Sequence, residues 1–192
     1  MRTAILALIA VGTPALAQFQ IVDDIPGTFI DISGIGTPFA IPDDGVISFV
    51  STVGNSVFPA GVIQIGNNGG VGFGPGAMPI LTPANSTLPS ASAFGGALSI
   101  LPFWDDEGSG SGAVYVFQDS TTLIIQWNRP FNTGGFGIFQ AQVSSTEDRR
   151  YTQFLYQDIE SPSALGGEIA TIGFQGGSLF DSVTWSVNQA FA

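Results

Sequence analysis

The chain has no cysteine and no histidine. Those two absences remove disulfide bracing, zinc held by thiolate or imidazole, and the histidine base that most nucleophilic triads need. Lysine is missing as well. Basic charge is confined to Arg2, Arg129, Arg149 and Arg150 against fifteen acidic side chains, for a formal net charge of −11. Nucleic acid and anionic lipid surfaces are gripped through a basic footprint. The nearest thing to one, Arg149-Arg150, comes directly after Glu147-Asp148, so neither partner is expected and the acidity is read as a solubility device. Cohesion has to come from an apolar core, which a chain of 192 residues is long enough to bury.

Long apolar runs are also scarce, and the one of note opens the chain: Arg2, then Ala4 to Val11 (AILALIAV), then Ala15-Leu16-Ala17. A basic start, a short apolar stretch and an A-x-A site are the layout of a secretory signal peptide. The stretch is too short to cross about 30 Å of hydrocarbon as a helix. Residues 1–17 are therefore expected to be a cleaved leader, with Gln18 beginning a single secreted domain over 18–192. The destination expected is extracellular or the cell surface, with the periplasm as the alternative. No transmembrane segment is expected after cleavage.

What the chain does hold is 26 glycines, 12 prolines and 16 phenylalanines. Gly and Pro recur at short intervals between β-branched and aromatic blocks, the pattern of an all-β antiparallel sandwich or partly open barrel with very little helix outside the leader. The strand candidates are 28–32, 46–50, 62–65, 114–118, 123–127, 139–143, 154–156, 169–174 and 183–187. Pro42-Asp43-Asp44-Gly45 reads as a tight turn. Asn67-Asn68-Gly69-Gly70 reads as a hairpin turn joining residues 62–65 to 71–73 through positive-φ Asn-Gly geometry. Residues 74–93, rich in Pro, Ser and Ala, read as a long mobile surface loop. They include Asn85-Ser86-Thr87, which matches a glycosylation acceptor. Phe103, Trp104, Trp127 and Trp185 are expected in the core, where large rings dominate packing.

Several of these blocks carry a resemblance. Leu101-Pro102-Phe103-Trp104-Asp105-Asp106, Val114-Tyr115-Val116-Phe117, Ile124-Ile125-Gln126-Trp127, Phe139-Gln140 and Ala170-Thr171-Ile172-Gly173-Phe174-Gln175 stand in that order. The series resembles bacterial secreted and surface domains that are themselves similar to the nidogen-like extracellular domain of animal matrix proteins. Phe58-Pro59-Ala60-Gly61 and Asn67-Asn68-Gly69-Gly70 resemble the strand and turn that precede it. The likeness runs from about Thr28 to Gln175. It implies a β-rich extracellular module, usually part of a larger surface protein or adhesin, without an established catalytic centre. Glu107 departs from the pattern, since bacterial members often place Leu after the acidic pair.

Asp105-Asp106-Glu107 also has a chemistry of its own. In a Gly/Ser loop the three offer hard oxygens and are candidate calcium ligands, although calcium takes about six to eight oxygens and the triplet cannot supply them alone. Their spacing matches neither an EF-hand nor a glycine-repeat calcium loop. The structural alternative is that Asp105 or Asp106 accepts backbone N–H bonds and closes the loop after Trp104. Apart from calcium no cofactor is expected. Glycoside cleavage would need two carboxyls about 5 Å or 6.5–9.5 Å apart, and neighbours in a strand project to opposite faces. Asp105 and Asp106 are a poor pair, and no catalytic residue is expected.

Two functional readings result. One is a non-catalytic extracellular binding or adhesion module that takes a protein or glycan partner through loops on a rigid sandwich. The other is a structural subunit that self-associates through an exposed sheet edge into a surface layer or fibre. A glycan-active hydrolase is the remaining alternative.

Overall fold

The structure, a computed structural model, describes residues 6–11, 18–22, 27–55, 57–74, 85–90, 94, 97–108, 112–132, 134–146, 152–160, 170–176 and 182–187. The expected cleavage site at 15–17, the charged tip at 147–150 and most of the 74–93 loop lie outside them. Two antiparallel sheets pack face to face without closing into a barrel, which makes the fold an all-β sandwich. The first sheet holds β1 (Leu6–Val11), β2 (Gln18–Val22), β3 (Thr37–Phe39), β8 (Ala113–Gln118), β9 (Thr122–Pro130), β10 (Phe136–Ser144) and β11 (Thr152–Glu160), in the order β2-β1-β11-β10-β9-β8-β3. The second holds β4 (Val46–Ser51), β5 (Gly61–Gly66), β6 (Val71–Phe73), β7 (Ser99–Trp104), β12 (Thr171–Gln175) and β13 (Val183–Val187), ordered β13-β12-β7-β6-β5-β4. The apolar stretch of the expected leader forms β1, paired with β2 and, through Leu6↔Phe154 and Ala7↔Gln153, with β11. Cutting after Ala17 would remove β1 and leave β11 at the sheet's edge.

Period-two alternation builds the core between the sheets. On β9, Leu123, Ile125 and Trp127 point inward; on β10, Phe139, Ala141 and Val143 do. Ile63, Ile65, Val71, Phe73, Ile172 and Phe174 meet them from the second sheet. Trp127 is fully buried, lies parallel to Phe139 at 5.2 Å between ring centroids, and donates its indole N–H to the Gly66 carbonyl at 3.0 Å. One side chain thus joins both sheets with its single polar atom satisfied.

β7 is buried along its whole length, because it is covered on both faces. Pro102 cannot donate to a ladder and is tolerated inside a sheet only where pairing is interrupted. The register with β12 slips there, from Gly173↔Leu101 to Thr171↔Trp104. Two residues on β12 are spanned by three on β7, a bulge that resets which side chains face inward. Ile100 and Phe103 enter the main core, whereas Leu101 and Trp104 join a second cluster with Phe94 and Leu88 on the outer face. The Pro102 carbonyl accepts the Tyr156 hydroxyl at 2.5 Å.

That second cluster revises the reading of the 74–93 loop. Residues 85–90 dock across the outer face: Leu88 N–H donates to Thr184 Oγ1 at 2.8 Å, Ser90 N–H to Gln175 Oε1 at 2.7 Å, and the Thr171 hydroxyl to the Ser86 carbonyl at 2.9 Å. Phe94 meets Trp104 edge-to-face at 5.1 Å. Residues 75–84 and 91–93 are outside the described set. Trp185 is half-buried at the margin of the core rather than within it, since it sits on an edge strand.

Residues 28–32 are not a strand. They lie as a strap over the outer face of β9 and β10, held by side-chain amides in place of a backbone ladder. Gln126 accepts the Ile32 N–H at 2.9 Å and donates to Asp31 at 2.9 Å; Gln140 donates to the Ile30 carbonyl at 2.5 Å and to Gln126 at 2.6 Å. Gln142 donates to Gln140 and to the Thr28 carbonyl. The alternation of Thr28 to Ile32 is real, but its partner is a row of glutamines.

Trp127→Ala should destabilise the protein by about 3–5 kcal/mol, the usual cost of removing a buried large ring. A urea titration showing a loss under about 1 kcal/mol would place that ring outside the core.

Candidate functional site

Turns from both sheets meet at one end of the sandwich. Pro42-Asp43-Asp44-Gly45 closes with Gly45 N–H on the Pro42 carbonyl at 2.9 Å, and Asp44 takes a left-handed φ of 52°. Aspartate is among the few residues that accept that conformation. The β5–β6 turn abuts it, with Asn67 N–H donating to the Gly45 carbonyl at 2.9 Å. Beyond β7 the chain turns as Asp105 Oδ1 accepts the Asp106 N–H at 2.7 Å, which is the loop-closing role expected for that carboxyl. The segment then ties to the β9–β10 turn: Gly108 N–H donates to the Pro130 carbonyl at 2.8 Å and Asn132 N–H to the Asp106 carbonyl at 3.0 Å.

The β5–β6 turn is fully buried, unusual for a hairpin tip. Its geometry differs from the expected Asn-Gly primed turn. Gly69 alone has positive φ, at 75°, and five residues separate the paired Ile65 and Val71. The reason is contact. A Cβ on Gly69 would lie 1.9 Å from the Phe103 carbonyl oxygen. The asparagines act as a polar hub. Asn67 donates its amide to the Glu107 carbonyl; Asn68 accepts the Glu107 N–H at 3.2 Å and donates to Asp44 at 2.8 Å.

The acidic triplet is split by this arrangement. Asp106 faces outward, where carboxylate oxygens of Asp43, Asp44 and Asp106 all lie within 4.8 Å of one another. Asn132 donates to Asp106 Oδ1 at 2.6 Å and to Asp43 Oδ1 at 3.5 Å. Asp105 and Glu107 turn inward and are 5 % and 0 % exposed. Asp105 Oδ2 and both Glu107 carboxyl oxygens have no hydrogen-bond partner. Arg129 is the neighbouring cation, and its guanidinium donates to the carbonyls of Gly108 and Gly112 at 2.6 and 3.4 Å. Asp43 and Asp44 were legible only as turn residues, because nothing along the chain joins them to Asp106.

Burial dominates the electrostatics. It pushes the Asp105 carboxyl up to about 6; the Asp106 N–H bond opposes that and the Asp106 charge adds to it. Burial also raises Glu107 well above the ordinary range, with Arg129 opposing and Asp105 reinforcing. An unpaired carboxylate in such surroundings is strongly disfavoured. Both carboxyls thus lie beneath the surface, Glu107 fully and Asp105 nearly so.

Because the folded chain holds the Asp105 proton more tightly than the unfolded chain, its contribution to stability is complete below about pH 4 and is lost as the pH rises through about 6. In chelator-treated buffer, Asp105→Asn should therefore gain stability relative to wild type between pH 4 and pH 7. A constant difference in urea midpoint across that range would contradict this. Gly69→Ala should be destabilising at every pH, since both its φ and its contact with Phe103 forbid a side chain.

Comparison with family models, curated proteins and solved structures returned no match.

Proposed function

We propose that the protein is a non-catalytic extracellular recognition module, a binding or adhesion domain of the bacterial nidogen-like kind suggested by its motif series. The observation that carries this reading is the bracing of turns at one end of the sandwich. Backbone bonds from Asn67 to Gly45, from Gly108 to Pro130 and from Asn132 to Asp106 tie loops of both sheets into one surface. Loops fixed on a rigid scaffold recognise partners without a large ordering cost. The leader-like start supports an exported site of action. Missing histidine and cysteine, together with the burial of Asp105 and Glu107, support a binding role over a chemical one.

Self-assembly through a sheet edge is the second reading. Its support is β4, an edge strand on which Val50 is 65 % exposed, and the free edge that loss of β1 would give β11.

Purified residues 18–192 should bind saturably to one or more members of a glycan and matrix-protein array, and Asn132→Ala should weaken that binding while Val50→Ser leaves it intact. Flat responses across broad panels would count against recognition. Concentration-dependent sedimentation abolished by Val50→Ser would favour assembly instead, and turnover of a glycan panel lost in Asp105→Asn would make the protein a hydrolase.

A further inference from the structure

We infer that the protein pairs with a second copy of itself through β4, edge to edge and antiparallel about a two-fold axis at Ser48. β4 is the last strand of its sheet, and the ladder on its other side shows which backbone groups are available. Asn67 N–H bonds to the Gly45 carbonyl, which makes Gly45 and Asn67 a hydrogen-bonded pair. Such pairs alternate with unbonded ones along an antiparallel ladder. The register between β4 and β5 runs without a shift, so Ile47↔Ile65 and Phe49↔Ile63 are the bonded pairs, and Val46, Ser48 and Val50 turn their N–H and C=O groups to the free edge. Val62 and Gly66, opposite Val50 and Val46, accordingly bond the other way: Gly74 N–H donates to the Val62 carbonyl at 2.9 Å and Gly66 N–H to the Gly70 carbonyl at 2.8 Å. The row ends at Thr52, whose N–H is taken by Gln118 Oε1 at 3.1 Å.

The strand's own sequence selects a second copy as the occupant. Val46-Ile47-Ser48-Phe49-Val50 is apolar on either side of Ser48 and symmetric in character about it. Turned antiparallel on itself at that residue, it sets Val46 against Val50 of the second copy and Ser48 against its own counterpart, with Ile47 beside Phe49 on the core-facing side. The pairs 46–50, 48–48 and 50–46 are then the hydrogen-bonded ones, and they use the groups left free on each edge. Val50 is 65 % exposed, and Ile47 and Phe49 pack on the core while only partly buried, so all three gain cover. Net charge does not oppose the contact, because the strand carries none. Asp44 stands opposite Thr52 of the second copy, about 27 Å from that copy's Asp44 at about 3.4 Å per residue, well beyond a Debye length of about 8 Å.

The remaining edges are guarded and this one is not. Edge strands are kept from pairing by short length, proline, charge or a covering segment. β3 is three residues long and carries Pro38, which has no N–H to give. β13 has residues 85–90 fastened to it through Thr184. β2 belongs with β1 to the hairpin that cleavage would break, and β11, the edge then left, ends in exposed Asp158 and Glu160, which disfavour an equally acidic copy. β4 spans six residues without a proline or a charge.

The closed pair rests on the self-assembly reading and replaces an open layer or fibre with a dimer. Sedimentation of the purified protein at about 100 µM, where a micromolar Kd leaves mostly dimer, should show that dimer and no larger species. Ser48→Glu and Ser48→Lys each set like charges in direct opposition at the axis and should weaken it by about fivefold or more, and an equimolar mixture of the two should restore it. Since the chain has no cysteine, Ser48→Cys should give a disulfide-linked pair on mild oxidation while Thr37→Cys on β3 should not. Ser48 is exposed and the core does not need it; should both charge variants unfold by circular dichroism, the two cysteine variants decide. A monomer at that concentration, a dimer indifferent to both charge variants, or no link in Ser48→Cys would overturn the pair. Larger species without that link would also overturn it, while leaving assembly through another edge standing.

Discussion

A strand covered on both faces has to send large apolar side chains each way, and β7 does so across a proline. The slip at Pro102 lets Phe103 enter the core and Trp104 leave it in immediate succession. Each ring then recruits its own partners: Phe103 packs against Phe131 and Phe139, and Trp104 against Phe94. The same bulge fixes the direction in which the chain leaves the sheet. Beyond Trp104 the backbone runs into the gap between the β5–β6 and β9–β10 turns, where Asp105 and Glu107 are trapped inside and Asp106 is left at the surface. Without the slip, alternation would exchange these faces, and the acidic residues would be presented the other way round.

Such a bulge requires close contact elsewhere. The Phe103 carbonyl comes so near the β5–β6 turn that only glycine fits at position 69. With the turn pressed against β7, Asn67 and Asn68 lose solvent and must find partners, and they find them on Glu107, Asp44 and the backbone at Gly45. A sequence that looks like a flexible polar tip is therefore a buried joint. Its polar atoms cost little because most of them are bonded; the buried carboxyl oxygens of Glu107 beside it have no hydrogen-bond partner.

Strands were readable from the chain wherever a single face is buried. The blocks at 46–50, 114–118 and 183–187 fall within observed strands, because their pattern depends only on the pleat. Thr28 to Ile32 misled for an instructive reason: the segment alternates, yet its hydrogen bonds go to the Gln126, Gln140 and Gln142 amides, which propensity does not encode. The docked part of the 74–93 loop was missed because Leu88 and Phe94 are isolated apolar residues whose target, the outer face of Trp104, exists only once the bulge is known. At the candidate site, Asp105, Asp106 and Glu107 stood out as a run. Asp43 and Asp44 stood out as a turn. That Asp106 belongs with those two rather than with its chain neighbours depends on strand order, and no spacing along the chain reveals strand order.

Burying carboxyls beside a single arginine is a poor way to stabilise a protein, since well-packed apolar residues of similar size would do better. The arrangement makes more physical sense as part of a charged end than as part of a core. Loops that converge at the edge of a sandwich have little apolar surface to hold them, so their relative positions are set by directional bonds and by charge. Here the bonds are those of Asn67, Asn68 and Asn132, and the charge is the acidic group they surround. With Asp105 and Glu107 buried beside Arg129 and Asp106 left at the surface, the charge of this end is carried by groups whose positions the asparagine amides set.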